Sequence, residues 1–209
     1  MPVEIKWLGH ASFRIAGPES VVCIDPWKLD QPTHDADLVV VSHSHHDHFS
    51  PEDIAKVAKE DTAIIAPGDV VAKMRIASAV TPGDNMTIKG VTVEAVAAYN
   101  VDKAFHPRSN QWIGVVLTID AKRLYYAGDT DFIPEMEELQ GVDVALLPVG
   151  GTYTLNAAEA ARACKAIGCK SAIPYHWGDI VGSASDAEEF VRTTECQAKL
   201  LQPGESMVI

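Results

Sequence analysis

The chain has 209 residues, of which 47% are hydrophobic and 22% are charged, and its formal net charge is -12 at pH 7. This composition is typical of a compact globular protein and excludes a disordered chain, so we expect one domain over residues 1–209. The negative charge disfavours partners with a phosphate backbone, and no run of basic residues is longer than Lys122-Arg123. The charge therefore disfavours a large nucleic-acid interface.

The start of the chain, from Met1 to Leu8, alternates polar and apolar residues, which predicts a strand rather than an export signal. No stretch approaches the roughly 20 apolar residues that a membrane-spanning helix needs. The four cysteines form no close CxxC pair and lie in apolar or helical contexts, as reduced thiols do. A disulfide or metal pair of Cys164 and Cys169 is the disfavoured alternative. These features predict a soluble, cytoplasmic protein.

Strand-sized apolar runs, many of them rich in β-branched residues, recur along the chain. In chain order they are Val3 to Leu8, Val21 to Ile24, Leu38 to Val41, Ala63 to Ile65, Val91 to Ala97, Ile113 to Ile119, Leu124 to Ala127, Val142 to Leu147 and Ser171 to Ile173. Helices are predicted over 51–60, 68–76, 156–167 and 185–194. This order fits neither strict alternation of strand and helix nor an all-β protein. We predict an α+β fold with the helices packed outside strand-rich halves.

Three of the predicted helices have recognisable N-terminal residues. Ser50 stands before a proline, as an N-cap residue often does. Asn156 is followed three residues later by Glu159. Ser185 and Glu188 match the spacing of a capping box, in which each side chain bonds the other residue's backbone N–H.

A cluster of histidines follows the apolar run that ends at Val41. Its sequence is His43-Ser44-His45-His46-Asp47-His48, and a predicted helix begins soon after it, near Ser50. The cluster therefore lies in a strand-to-helix loop. Imidazole nitrogens and carboxylate oxygens are the usual ligands of zinc and similar ions. A solvated polar loop is the alternative, and a purification tag would be contiguous and terminal. We interpret the cluster as a metal site.

Four residues of this cluster, His43, His45, Asp47 and His48, match the motif HxHxDH, and the chain resembles the metallo-β-lactamase superfamily. The resemblance implies a four-layer αββα sandwich. It also implies that the first two histidines help bind one metal, that Asp47 and His48 bind a second, and that a later aspartate bridges both. His46 occupies a variable position of the motif and is left out of the ligand set.

The remaining ligands implied by the resemblance lie farther along the chain. Asp129, in a GDT motif after the run ending at Ala127, resembles the bridging aspartate, and His176 resembles the last histidine. A further histidine is required between the cluster and Asp129, where His106 is the only histidine. The implied sets are His43, His45 and His106 for one ion and Asp47, His48 and His176 for the other. Such ligands accept two divalent ions, with Zn²⁺ favoured and Mn²⁺ or Fe²⁺ as alternatives.

The segment Trp7 to Phe13, which reads WLGHASF, resembles the GHASF turn of a subgroup that includes ascorbate-6-phosphate lactonase. The likeness extends to short stretches around Asp25, Asn100 and Tyr153. Two roles stay open for His10 within this motif. It either hydrogen-bonds substrate or a neighbouring ligand, or it fixes a turn between two strands. Asp25 likewise either fixes the tautomer of a ligating histidine or serves turn chemistry before a proline.

By resemblance, the predicted function is that of a metal-dependent hydrolase. Two metal ions and a bridging hydroxide would cleave a small ester-like substrate, a lactone or a phosphoester. Asp129, Asp47 and His10 are the candidate catalytic residues. The alternatives are a metal-binding regulatory protein without turnover and, less favoured for want of a basic arm, a nuclease. A β-lactamase is disfavoured by the GHASF motif, and a di-iron electron-transfer protein by His45, where those relatives carry glutamate.

Overall fold

Two seven-stranded sheets form the centre of the fold in the computed structural model, which describes residues 2–209. The first sheet begins with β1 (Glu4–Gly9), β2 (Ser12–Ala16), β3 (Val21–Ile24), β4 (Ala36–Val40), β5 (Ala58–Ala66) and β6 (Ser78–Ala79). The second contains β7 (Asn85–Ile88), β8 (Val91–Ala97), β9 (Ile113–Ile119), β10 (Lys122–Tyr126), β11 (Val144–Pro148), β12 (Ser171–Tyr175) and β13 (Gln197–Ala198). The last strand, β14 (Ser206–Val208), returns to pair with β1 at the edge of the first sheet.

Four α-helices within residues 2–209 cover the outer faces of these sheets. They are α1 (Pro51–Val57), α2 (Gly68–Val71), α3 (Ala157–Ile167) and α4 (Ala184–Thr193). Ile54 of α1 and Val70 of α2 pack with Val39 of the first sheet. The other two helices contact each other, and they lie against β11 and β12 of the second sheet. The order helix, sheet, sheet, helix confirms the predicted α+β, four-layer αββα architecture.

The main core lies between the two sheets. Phe13 of β2 is fully buried and packs edge-on against Tyr126 and Tyr175, with ring centroids 6.1 Å and 5.6 Å away. Burying a side chain of this size contributes about 1.5–3 kcal/mol. Both tyrosines come from strands of the second sheet, so this contact joins the two halves directly beneath the site described below.

Two predicted helices are shorter than expected. The helix predicted over 51–60 ends at Val57, because Ala58 has an extended backbone and begins β5, whose pairing with β4 includes Ala58 opposite Ala36. The charged residues after Ala58 therefore belong to a strand and not to the last turn of a helix. The helix predicted over 68–76 ends at Val71, and the N–H groups of Lys73 and Met74 both bond the carbonyl of Val70.

The predicted cap of α4 was also wrong. The N-cap is Ser183, whose backbone N–H donates to the carboxylate of Asp186 at 2.7 Å, so the helix begins before the predicted Ser185. The start predicted for α3 is confirmed, since Asn156 and Glu159 form a capping box. Five strands were not predicted, namely β2, β6, β7, β13 and β14, which are short or polar and pair with longer strands.

The chain connections bring several strand ends together at one edge of the sandwich. The ends of β3 and β4 lead to Asp25 and His43, and those of β10 and β12 lead to Asp129 and His176. β3 runs parallel to β4, and β10, β11 and β12 are parallel to one another, so the carboxyl ends within each set share an edge. Ligands commonly bind at that edge. Across residues 2–209, no helix is long and apolar enough to cross a membrane.

Candidate metal centre

The histidine loop after β4 turns back on itself. The N–H groups of His48 and Phe49 both donate to the carbonyl of His45, at 3.1 Å and 2.9 Å. This turn directs His43, His45, Asp47 and His48 toward the centre of the site. The side chain of His46 is 81% exposed, which agrees with its omission from the ligand set.

His43, His45 and His106 form one group, with one ring nitrogen from each within 4.8 Å of the others. His106 lies after β8, in a segment fixed by Asn100. The Asn100 Oδ1 atom accepts the backbone N–H of His106 at 3.0 Å and lies 3.0 Å from its Nδ1. Because an amide oxygen only accepts hydrogen bonds, Nδ1 carries the proton and Nε2 of His106 is free to ligate.

A second group joins Asp47, His48 and His176 with His10, again with one ligand atom each within 4.8 Å. The Asp47 Oδ2 atom is 3.7 Å from Nε2 of His48 and 3.8 Å from Nε2 of His176. His176 has a φ of 63°, which is uncommon for a residue with a side chain. Gly150 permits the close approach of the His176 carbonyl, because a Cβ there would lie 2.6 Å from that oxygen.

Asp129 lies between the two groups. Its Oδ2 atom is 3.2 Å from Nε2 of both His106 and His176, and its Oδ1 is 3.3 Å from Nε2 of His48. The preceding Gly128 has a φ of 68°, and a Cβ there would lie 2.8 Å from a backbone carbonyl, so glycine is required for this turn. The carboxylate faces both groups, as a bridging ligand would.

The charges of the site compensate one another. Burial alone would raise the pKa of Asp129, but His176 and His48 hold it well below its usual value. Burial disfavours the charged form of His48, yet Asp129 and Asp25 raise the pKa of His48 well above that of a free imidazole. The pKa of His43 is far below that of a free imidazole, chiefly because the residue is buried and secondly because His48 is close to it. A neutral His43 has a lone pair to offer to a cation.

Asp25 supports the cluster from beneath and is fully buried. Its Oδ2 atom lies 2.7 Å from Nδ1 of His48 and accepts the Tyr126 hydroxyl at 2.7 Å, while Oδ1 accepts the backbone N–H of Ser42 at 2.7 Å. Of the two readings left open for Asp25, the geometry favours the acceptor that fixes a histidine tautomer. Tyr126 and Ser42 were not predicted as members of this network.

His10 reaches the site from the turn between β1 and β2. Its Nε2 atom lies 2.9 Å from Asp47 Oδ2, and its ring centroid is 4.0 Å from that of His176. Burial lowers the pKa of His10, although the hydrogen bond to Asp47 acts in the opposite direction. Burial alone would raise the pKa of Asp47, but the hydrogen bond from His10 and the charge of His48 together lower it. His10 therefore orients Asp47 from behind instead of facing the opening of the site.

The opening is a cavity of about 280 Å³. It is lined by His45, His46, Asp47, Phe105, His106, Asp129, Tyr153 and Ile180. Phe105 and Tyr153 meet edge to face with ring centroids 4.7 Å apart. Neither Lys nor Arg is among these lining residues, so the cavity offers apolar contacts beside the ligand atoms. Phe105 and Ile180 were not predicted to line the site, although Phe105 adjoins a predicted ligand.

Trp112 is a further residue that the sequence did not indicate. Its ring centroid is 4.8 Å from that of His43, 4.9 Å from that of His45 and 5.5 Å from that of His106. The indole Nε1 donates to the carboxylate of Asp69 at 3.0 Å, which fixes the ring. Trp112 thus forms a wall behind the three-histidine group and limits the rotamers open to it.

The donor atoms themselves test whether these residues fit divalent ions. Within the described part of the chain, the buried side-chain atoms that lack a hydrogen-bond partner include Nε2 of His48, His106 and His176, and Oδ1 of Asp129. Unsatisfied buried polar atoms are costly and uncommon in native proteins. Here all four point into one small region and are nitrogen or oxygen ligands. The set fits divalent metal ions such as zinc.

Comparisons with known proteins show the family of the chain. The family model described as the beta-lactamase superfamily domain matches residues 4–176. A UPF0173 metal-dependent hydrolase of Pyrococcus abyssi is 32% identical over 225 residues, covering 98% of this chain and 99% of the relative. Another, from Methanoregula boonei, is 34% identical over 226 residues, covering 99% of this chain and 98% of the relative.

Solved structures give the same result. A protein of Parabacteroides distasonis, assigned as a metal-dependent hydrolase, superposes with a TM-score of 0.84 at 31% identity, over 96% of this chain and 94% of that one. A metallo hydrolase of Ignicoccus hospitalis superposes with a TM-score of 0.82 over 100% of this chain and 99% of that one. Its identity is 22%, so it supports the fold alone. The chain belongs to the beta-lactamase superfamily and, within it, to the UPF0173 metal-dependent hydrolases.

Proposed function

We propose that this hydrolase works with two divalent ions held by seven side chains, and that it cleaves a small ester-like substrate in the cytoplasm. The first ion would be held by His43, His45 and His106, and the second by Asp47, His48 and His176, with Asp129 shared. The unpartnered donor atoms around Asp129 are the observation that carries this proposal. Zn²⁺ suits the mixed nitrogen and oxygen ligands, as do Mn²⁺ and Fe²⁺.

When bound, a pair of divalent ions acidifies water and polarises a carbonyl or phosphoryl oxygen of the substrate. The residues of the chain have separate tasks around that chemistry. Asp129 presents one carboxylate oxygen to His48 and the other to His106 and His176. It therefore contacts both ligand groups and fixes their relative positions. Asp47 lines the cavity and is oriented by His10. His10 thus acts through Asp47.

The cavity favours a lactone over a phosphoester. A phosphoester carries a negative charge, and its recognition commonly uses Arg or Lys side chains. The residues lining the opening include neither, while Phe105, Tyr153 and Ile180 present apolar surface. A neutral ester or lactone with an apolar portion suits this wall, because burying apolar area contributes about 25 cal/mol per Å². The same absence of cations at the opening disfavours a nuclease.

The test is a measurement of metal content and turnover on one set of proteins. Wild type, Asp129→Ala and a control, His34→Ala, are assayed with lactones, phosphodiesters, phosphomonoesters and thioesters after metal loading. His34 lies on the surface, where its Nδ1 is 3.0 Å from the Ala58 carbonyl. We expect two ions per chain and lactone hydrolysis in wild type and His34→Ala, and loss of turnover with lower metal content in Asp129→Ala.

Two results would contradict this proposal in different ways. Fewer than one ion per chain under metal-replete conditions would reject the dinuclear centre. Full metal content without turnover of any ester would instead favour the regulatory protein. Preferential turnover of phosphoesters would retain the dinuclear centre and reject the lactone.

A further inference from the structure

Three of the four cysteines meet in a cluster far from the site described above. Cys164 lies in the last turn of α3, Cys169 follows that helix, and Cys196 lies between α4 and β13. Their Sγ atoms all lie within 4.8 Å of one another, and those of Cys164 and Cys169 are 3.0 Å apart. The fourth cysteine, Cys23, belongs to a different apolar cluster, on the first sheet.

The thiol cluster and the histidine site lie at opposite ends of β12. Cys169 stands before the first residue of that strand, and His176 stands directly after the last. An extended chain advances roughly 3.3 Å per residue, so the two positions are separated by roughly 20 Å. The thiols therefore cannot contribute to the His and Asp ligand sets.

Ordinary packing explains only part of this cluster. α3 ends at Gly168, which has a φ of 66°, and its N–H bonds the Cys164 carbonyl. Helix ends of this kind commonly bring together the two side chains that flank the turn, which accounts for the contact between Cys164 and Cys169. Cys196 comes from another segment, and an alanine or valine there would serve packing alone. The convergence of a third thiol needs a further reason.

The chemistry of the cluster suits a soft metal ion. Zinc–sulfur bonds are about 2.3 Å long, so sulfurs that share one ion lie about 4 Å apart. The three Sγ atoms lie within 4.8 Å of one another, and the pair of Cys164 and Cys169, which is 3.0 Å apart, would open by about 1 Å when an ion binds. Thiolates select soft ions such as Cu⁺ and also bind Zn²⁺. Cys164 and Cys169 are buried and Cys196 is half-buried, which leaves an approach for an ion from solvent.

We propose that Cys164, Cys169 and Cys196 form a three-thiolate site for one soft d¹⁰ cation, Zn²⁺ or Cu⁺, separate from the His and Asp centre. Binding would exchange the thiol protons for the ion. Three protein ligands leave one position for water or a small ligand, so the ion would exchange more readily than in a closed four-ligand site. The site would also join α3, the start of β12 and the segment after α4, and so stabilise the folded chain.

The experiment begins with the whole chain after its His and Asp centre has been loaded with Zn²⁺. Cd²⁺ alone is then titrated into this protein. Cadmium bound to thiolate absorbs in the near ultraviolet by sulfur-to-metal charge transfer, whereas nitrogen and oxygen ligands give no such band. We expect wild type to gain one thiolate-bound ion per chain. Cys196→Ser should lose at least tenfold in Cd²⁺ affinity, and Cys23→Ala, as a matched control, should bind as wild type does.

A direct measurement on the wild type guards against a variant that fails to fold. The ¹¹³Cd chemical shift distinguishes coordination by three sulfurs from coordination by nitrogen and oxygen. A shift in the thiolate range supports the site. The proposal is overturned by absence of the charge-transfer band, by its full retention in Cys196→Ser, or by a Cys164–Cys169 disulfide in protein purified without reductant. Ester turnover is not a readout, so failure here leaves the proposed hydrolase intact.

Discussion

Asp25 and His48 meet through a 2.7 Å contact between Oδ2 and Nδ1, although they are 23 residues apart in the sequence. The carboxylate holds the proton on Nδ1 and leaves Nε2 aimed at Asp129. Asp25 itself has a φ of 43°, so the turn that presents it is conformationally costly. Both the charge and the geometry of Asp25 therefore contribute to the readiness of His48 to ligate.

We predict that Asp25→Asn weakens metal binding by roughly 10- to 100-fold. Four groups donate hydrogen bonds to the Asp25 side chain: the Ser42 N–H and hydroxyl, the His48 Nδ1 and the Tyr126 hydroxyl. The NH₂ group of an asparagine is itself a donor, so it would face one of these donors without forming a hydrogen bond. Competition with a chromogenic chelator measures the affinity. Asp61→Asn, at an exposed ion pair with Lys89, is the control and should bind metal as wild type does. Equal affinities in the two variants would exclude this role for Asp25.

His106 tests the division of the site into two groups. His106→Ala removes a proposed ligand of only one ion, so we predict that the metal content falls from two ions per chain to about one. Elemental analysis by mass spectrometry measures it, with His34→Ala as the control. Two firmly bound ions in His106→Ala would show that another side chain completes the three-histidine group.

His10 is predicted to act by orienting Asp47. His10→Ala should weaken binding of one ion by roughly 10- to 100-fold, as loss of a partner that orients a ligand does. His10→Gln retains an N–H donor and should recover part of that affinity. Paired measurements of metal affinity and KM on both variants separate the possible roles. An unchanged metal affinity with a raised KM would instead mean that His10 contacts the substrate.

The sequence predicted those parts of the site that are local. His43, His45, Asp47 and His48 lie within one loop, so their clustering indicated a metal site. The division into ligand sets, and the distant His106, Asp129 and His176, came from the family resemblance. Trp112 and Tyr126 were not predicted, because each reaches the site through the stacking of distant strands. The short strands β6 and β13 were missed for a similar reason. Each has two residues and exists only because a longer neighbour pairs with it.

The end of α1 shows the same limit for helices. Lys59, Glu60 and Asp61 are compatible with a helix, and nothing in that local sequence opposes one. Pairing of β5 with β4 overrides the preference and makes the segment a strand. The interactions that decide the conformation here are tertiary contacts between distant strands, and local sequence does not indicate them.

Asp53 is predicted to stabilise the fold in a pH-dependent manner. It is buried in α1, and its carboxylate accepts the backbone N–H groups of Lys28 and Leu29 at 2.9 Å and 3.1 Å. Loss of such hydrogen bonds costs about 1–3 kcal/mol. We expect Asp53→Asn to lower the free energy of unfolding at pH 7 by that amount. Chemical denaturation followed by circular dichroism measures the difference.

The direction of the pH dependence follows from the Asp53 carboxyl. Burial alone would raise its pKa, but hydrogen bonds from Lys56 and Ser50 outweigh burial and lower it. A carboxyl whose folded-state pKa is depressed contributes stability above its unfolded pKa of about 3.9, and loses it as pH falls through the folded value. The difference between wild type and Asp53→Asn should therefore be constant near neutrality and shrink below about pH 4.

The matched control for this prediction is Glu52→Gln, on the same helix. The Glu52 side chain is 85% exposed and lies 3.4 Å from Lys56, so its substitution should change stability by less than about 0.5 kcal/mol. An equal effect of the two substitutions would mean that α1 responds to net charge. Asp53→Asn could instead lower the free energy of unfolding more than Glu52→Gln does, and by the same amount at acidic pH as at pH 7. That result would mean that the shape of the Asp53 side chain, and not its ionisation, holds the segment at Lys28 and Leu29 against α1.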